Sequence, residues 1–135
     1  MKNTADSRAD AARKWWLGPI LWALLLFVAS SIPGTSYPQI SFEYADKVVH
    51  TLIYGTLGAL LAVAARLNLP WSAARVWWFS IGVATLYGAT DEFHQLFVPN
   101  RSADLRDLLA DALGAGLGAA ATLGVLQAFR NTRRV

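Results

Sequence analysis

Three observations predict an all-α fold, an integral membrane bundle of four transmembrane helices. The chain holds four long apolar stretches, few charges, and a one-sided distribution of Lys and Arg. Its 135 residues allow one domain, read as 1–135. Apolar residues make up 55% and charged residues 16%, against ~45–50% and ~25% in soluble domains. That balance excludes a disordered chain. The absence of cysteine excludes a disulfide framework and thiolate chemistry.

The first stretch, Trp15 to Ile32, carries no charge and predicts a helix over 15–33, close to the ~17–25 residues that cross a bilayer. Its basic flank and Ala29-Ser30-Ser31 also suit a signal peptide. The run exceeds the ~7–15 residues of a signal core, however, so a retained spanning helix is expected. The second stretch, Val48 to Ala65, has only His50 as an ionisable group and predicts a helix over 46–66. The third starts near Val76, meets Asp91, Glu92, His94 and Gln95, and predicts a helix over 75–98. Phe97 to Ser102 reads as a turn, because Pro99 sets φ, Asn100 tolerates positive φ, and Ser102 or Asp104 can cap the fourth helix. The fourth stretch, Leu108 to Phe129 with Asp111 as its single charge, predicts a helix over 104–129. Lipid offers the backbone no partners, so each stretch reads as helix and not open strand.

With four spans, Lys2, Arg8, Arg13, Lys14, Arg66, Arg75, Arg130, Arg133 and Arg134 share one side, and Lys47, Arg101 and Arg106 the other. The positive-inside rule makes the first side cytoplasmic and therefore both N- and C-termini cytoplasmic. Trp15, Trp16, Trp71, Trp77 and Trp78 then fall at the inner boundary as an aromatic belt. Only Asp6 and Asp10 join the nine inner cations, leaving +7. Glu43, Asp46, Asp91, Glu92, Asp104, Asp107 and Asp111 join the three outer ones, leaving −4. The net +3 thus reflects membrane orientation, and no basic stripe marks a nucleic-acid partner.

Charged groups inside spans are expensive and usually face the bundle interior. Here they cluster. Asp46, Lys47 and His50 open the second helix, Asp91, Glu92, His94 and Gln95 close the third, and Arg101, Asp104, Asp107 and Asp111 lead into the fourth. At 1.5 Å per residue, Asp91 lies ~12 Å below Pro99, His50 ~6 Å inside its helix start and Asp111 ~10 Å inside its own. All three groups are expected in one layer near the outer headgroup boundary. The i,i+4 pairs Asp46–His50, Asp91–Gln95 and Asp107–Asp111 each share a helix face. Asp104, Asp107 and Asp111 form a stripe that Gly114 and Gly118 continue, and this GxxxG spacing directs the stripe at a neighbouring helix.

At these residues the chain resembles a known family. DKVVH (Asp46 to His50), followed by LYGATDEFHQLFVPNRSADLRDLLADALGAGLG (Leu86 to Gly118), is similar to the signature of the VanZ-like family. These are small bacterial membrane proteins named for one giving low-level resistance to teicoplanin, a lipid-tailed glycopeptide. The likeness spans Asp46 to Gly118 and carries the family's pattern onto Asp46, Lys47, His50, Asp91, Glu92, Gln95, Pro99, Arg101, Asp107, Asp111 and Gly114. Asn100 stands where the family commonly has Gly, and Asp111 where many members have Asn. The resemblance implies a multi-pass protein of the bacterial cytoplasmic (inner) membrane and names no reaction.

Two functions arise as expectations. In the first, Asp46, Lys47, His50, Asp91, Glu92, His94, Gln95, Arg101, Asp107 and Asp111 bind the polar head of a membrane lipid, a lipid-linked envelope precursor or a lipoglycopeptide. Arg101 and the carboxylates hold the head while apolar helices take the tail. In the second, Asp91, Glu92 and His50 perform acid–base chemistry on an isoprenoid- or glycerol-lipid head, since pooled carboxylates can push pKa values apart. His50 and Asp46 read either as a base with its orienting carboxylate or as a polar pair pinning a helix end. No cofactor is named by the sequence. A divalent metal at His50, Asp91 and Asp107 is the weaker reading, because neither HxxxH nor an EF-hand rhythm occurs. No phosphate loop or GxSxG elbow is present. A proton- or ion-coupled carrier ranks last, because no charge lies in Leu52–Ala65 or Val76–Thr90, near the bilayer middle where transporter sites sit. Tyr54 and Tyr87 read as core, and Glu43 and Asp104 as solvated charges.

Overall fold

Each apolar stretch winds into one helix. The computed structural model describes residues 12–36 and 44–133, and among them stand four α-helices and no strand. They are α1 (Leu17–Ser30), α2 (Ala45–Asn68), α3 (Ala73–Gln95) and α4 (Leu105–Thr132), with 3-10 turns at Lys14–Trp16 and Gly34–Ser36. Of the residues invoked above, Lys2, Asp6, Arg8, Asp10, Glu43 and Arg134 lie outside the described residues.

The helix ends obey local chemistry. α1 stops ahead of Pro33, short of the expected 33. α3 stops at Gln95 and not at 98, because the Phe97 and Val98 amides turn back to the carbonyls of His94 and Gln95, each at 3.0 Å, ahead of Pro99. Asn100 takes φ 59° in the turn beyond Pro99. Asp104 then caps α4, its carboxylate accepting the Arg106 amide at 2.8 Å.

Small residues join α2 to α4. A Cβ on Gly118 would collide with the Gly55 carbonyl, one on Gly114 with the Thr51 carbonyl, and one on Gly58 with the Ala115 backbone. Backbones therefore touch along the pair, as the GxxxG spacing predicts. Side chains tie on the other two helices. Trp77 Nε1 donates to the Gly116 carbonyl at 2.9 Å, Trp22 Nε1 to the Ile53 carbonyl at 2.9 Å, and Tyr87 Oη to the Ala23 carbonyl at 2.6 Å. Each such bond satisfies a part-buried polar atom.

The helices alternate in direction. At one end Asn68 Nδ2 donates to the Ala12 carbonyl at 2.8 Å; at the other, Ser31 Oγ and His94 Nε2 lie 3.0 Å apart. The first end gathers Arg13, Lys14, Arg66, Arg75, Arg130 and Arg133, with Trp71 and Trp16 packed on Phe79 at 5.3 and 6.2 Å. The second gathers the acids. α2 and α4 are long and apolar enough to cross a membrane; α1 with its leading turn is shorter. Leu17, Ile20, Leu21, Leu24, Leu25 and Val28 of α1 are exposed, a contiguous apolar face that water alone would not sustain.

Candidate functional site

The first turns of α2 and α4 meet around one ammonium. Lys47 Nζ donates to Asp46 Oδ2 at 2.8 Å, Asp104 Oδ2 at 2.9 Å and Asp107 Oδ1 at 2.5 Å. Asp46 and Asp107 stand in those first turns, where the positive end of the helix dipole favours a carboxylate. Asp104, at the rim, keeps 38% of its side chain exposed. The Arg106 amide, and then the Lys47 ammonium, hold its carboxyl below the usual carboxylate range.

One turn deeper, His50 Nδ1 lies 2.8 Å from Asp111 Oδ1. An ionised Asp111 can only accept, so beside it Nδ1 is the donor of this pair. Nε2 is 4.0 Å from Asp107 Oδ2, too far for a hydrogen bond. The carboxylate that orients His50 is thus Asp111 of α4, and the Asp46–His50 pairing expected from spacing does not form. Asp46 bonds Lys47 and keeps 58% of its side chain exposed.

α3 contributes the third wall. Glu92 Oε2 accepts the Asp104 amide at 2.7 Å, joining the end of α3 to the cap of α4. Gln95 Nε2 donates to Asp91 Oδ2 at 3.1 Å, so this i,i+4 pair does form. Asp91, Glu92, Gln95, Asp107 and Asp111 are all buried. Near the C-terminal end of α3 the dipole opposes Asp91 and Glu92, so their burial needs compensation from elsewhere.

That compensation is incomplete among the described residues. Asp91 Oδ1, Glu92 Oε1 and Asp111 Oδ2 are buried without a hydrogen-bond partner, as is the Tyr54 hydroxyl. Among the described residues, Lys47 and His50 form ion pairs with these carboxylates. Buried acceptors left unmet cost ~1–3 kcal/mol each.

The structure therefore gathers Asp46, Lys47, His50, Glu92, Asp107 and Asp111 in one cluster, with Asp91 and Gln95 beside it. Two residues expected there lie elsewhere. His94 turns to α1, its ring packed on Phe27 at 4.7 Å and its Nε2 beside Ser31 Oγ. Arg101 leans the same way, Nε donating to the Ile32 carbonyl at 3.4 Å. The donor atoms close enough to share a metal ion belong to His50, Glu92 and Asp107, all within 4.8 Å of one another. Asp91, expected as the third ligand, is not in that group.

One contributor, Gly88, escaped the sequence reading. Gly88 faces Asp111, where a Cβ would sit 2.5 Å from Oδ2. Tyr54 lies in the core as expected, completely buried, its ring parallel to that of His50 at 6.1 Å. The i−4 spacing of Gly88 from Glu92 was the available signal.

The family profile of VanZ/LLP1 matches residues 14–127. The chain belongs to the VanZ/LLP1 family. The VanZ/LLP1 match begins before α1 and runs to the last turns of α4, wider than the Asp46–Gly118 likeness, so α1 is part of the family's domain. No curated protein and no solved structure matches the chain.

Proposed function

We propose that this VanZ/LLP1 protein crosses the bacterial cytoplasmic membrane four times, with both termini in the cytoplasm. Its acidic end recognises the polar head of a lipid, a lipid-linked envelope molecule or a lipoglycopeptide. One observation carries the reading: three helix ends converge on carboxylates of which one oxygen each, at Asp91, Glu92 and Asp111, is buried without a partner among the described residues. A side so rich in acceptors suits a head rich in donors, an amine or a polyol. Phe93, Leu96, Phe97, Leu105 and Leu109 are exposed on the adjoining turns of α3 and α4, and offer a tail its apolar surface. The exposed face of α1 and the opposed charges of the two ends support the four-span arrangement.

The test is thermal unfolding of the purified chain in detergent with phosphatidylethanolamine, phosphatidylglycerol, a polyprenyl-linked sugar or teicoplanin added. A ligand that binds the native state raises Tm, by about 2.7 kcal/mol of stability at a hundredfold excess over Kd. The rise should appear with an amine- or sugar-bearing head and vanish in Asp91→Asn. No shift with any of the four sinks the reading. The Asp111–His50 contact favours one second reading, an enzyme using His50 as base on such a head. Product seen by mass spectrometry, and lost in His50→Ala, would select it.

A further inference from the structure

The geometry points to a divalent transition-metal site formed by His50 Nε2, Glu92 and Asp107, with Asp111 as the carboxylate that orients the imidazole. Three helices supply it: His50 from α2, Glu92 from α3, Asp107 from α4. Asp111 Oδ1 lies 2.8 Å from His50 Nδ1; in the neutral imidazole with Nδ1 as donor, Nε2 turns its lone pair toward Asp107, the arrangement metal-bound histidines use. Nε2 faces another acceptor, Asp107 Oδ2 at 4.0 Å. This pair is satisfied either by a proton on Nε2 or by a metal ion between the two groups, and the titration below separates the two.

Glu92 adds a third acceptor. Its Oε2 is used by the Asp104 amide, while Oε1 is buried without a partner among the described residues and the residue is 7% exposed. Donor atoms of the three residues lie within 4.8 Å of one another. Around a tetrahedral ion with bonds of ~2.0–2.2 Å, neighbouring ligands stand about 3.4 Å apart. Small side-chain rotations close the difference. The Tyr54 hydroxyl, on a residue 0% exposed one turn below His50, also has no partner among the described residues.

Ligand chemistry selects the ion. One imidazole and two carboxylates suit Zn²⁺ or Mn²⁺, whereas Mg²⁺ and Ca²⁺ prefer oxygen alone. Lys47 holds the other oxygen of Asp107, which leaves Oδ2 for the ion. The site stands on this geometry by itself. Its use as the contact to a lipid head rests on the proposed function.

The full-length chain, stripped with EDTA in detergent micelles without added lipid, is titrated with Mn²⁺ and followed by electron paramagnetic resonance. One ion per chain is expected, displaced by Zn²⁺, with ¹⁴N echo modulation from one imidazole. Glu92→Gln retains an oxygen for the Asp104 amide and should bind at least tenfold more weakly, as should Asp107→Asn. His50→Gln should lose the nitrogen modulation, and Arg75→Gln at the opposite end should change nothing. Tryptophan fluorescence melts verify that each variant is folded. Wild-type protein that binds no stoichiometric Mn²⁺, or binds it without nitrogen coupling, overturns the site whatever the variants do. So does unchanged affinity in a folded Glu92→Gln, and proton sharing among the acids then explains the cluster. The Tm shift with lipid, repeated in EDTA, separates the two proposals. A shift that persists in a protein unable to bind metal removes the ion and leaves the lipid reading standing.

Discussion

Lys47 reaches three carboxylates on two helices, and its side chain keeps only 20% of its surface exposed. Removing such a cation leaves Asp107 buried beside no permanent positive charge, which costs about 3–5 kcal/mol for a well-buried pair. Lys47→Met should therefore lower Tm more than Asp107→Asn does, and the double variant should recover part of the loss. A thermal double-mutant cycle measures this coupling, and additive losses would show that the ammonium compensates other groups. Residue spacing made Asp91–Gln95 legible, because i+4 returns to nearly the same helix face. His94, at i+3 from Asp91, falls on the opposite flank, where α1 claims it. Spacing names both neighbours and cannot choose between them. The same ambiguity hid Asp111 as the partner of His50, since a contact between helices has no period in sequence.

Among the elements, α2 and α4 depend on glycine for their approach. Gly118 and Gly114 sit against the Gly55 and Thr51 carbonyls, so a methyl group must push the backbones apart. Overpacking of this kind costs about 1–3 kcal/mol. Gly118→Ala should destabilise by that order and weaken ligand binding too, because Asp111 and His50 would separate with the helices. Gly124 has nothing within 4 Å of an added Cβ, so Gly124→Ala should be neutral or gain up to about 1 kcal/mol of helix propensity. Unfolding in a denaturing detergent series compares the two, and equal effects would refute close packing as the reason. The helices themselves were readable because apolar run length and Pro or Gly punctuation are local properties. Their ends were less so: α3 closes at Gln95 through backbone bonds that a charge-based boundary does not register.

For the molecule as a whole, basic residues at one end and acids at the other define an axis. If that axis crosses the membrane as proposed, a cysteine at Asn100 is labelled from the periplasm and one at Pro70 only from the cytoplasm. The chain has no native cysteine to interfere. Labelling of both from one side would overturn the four-span arrangement. Within this axis the acidic layer is assembled from three helices, and no pair of them holds all of its members.

Composition, run length and motif order by themselves determined an all-helical chain of the VanZ/LLP1 family, and named most of the residues that meet at its acidic end. These properties are written along one dimension, in hydropathy and periodicity. Tertiary structure alone decided which carboxylate orients His50, which acids stay unpartnered, and that His94 and Arg101 face α1. Those choices depend on distances between helices, and burial makes each unpaired oxygen costly enough to matter.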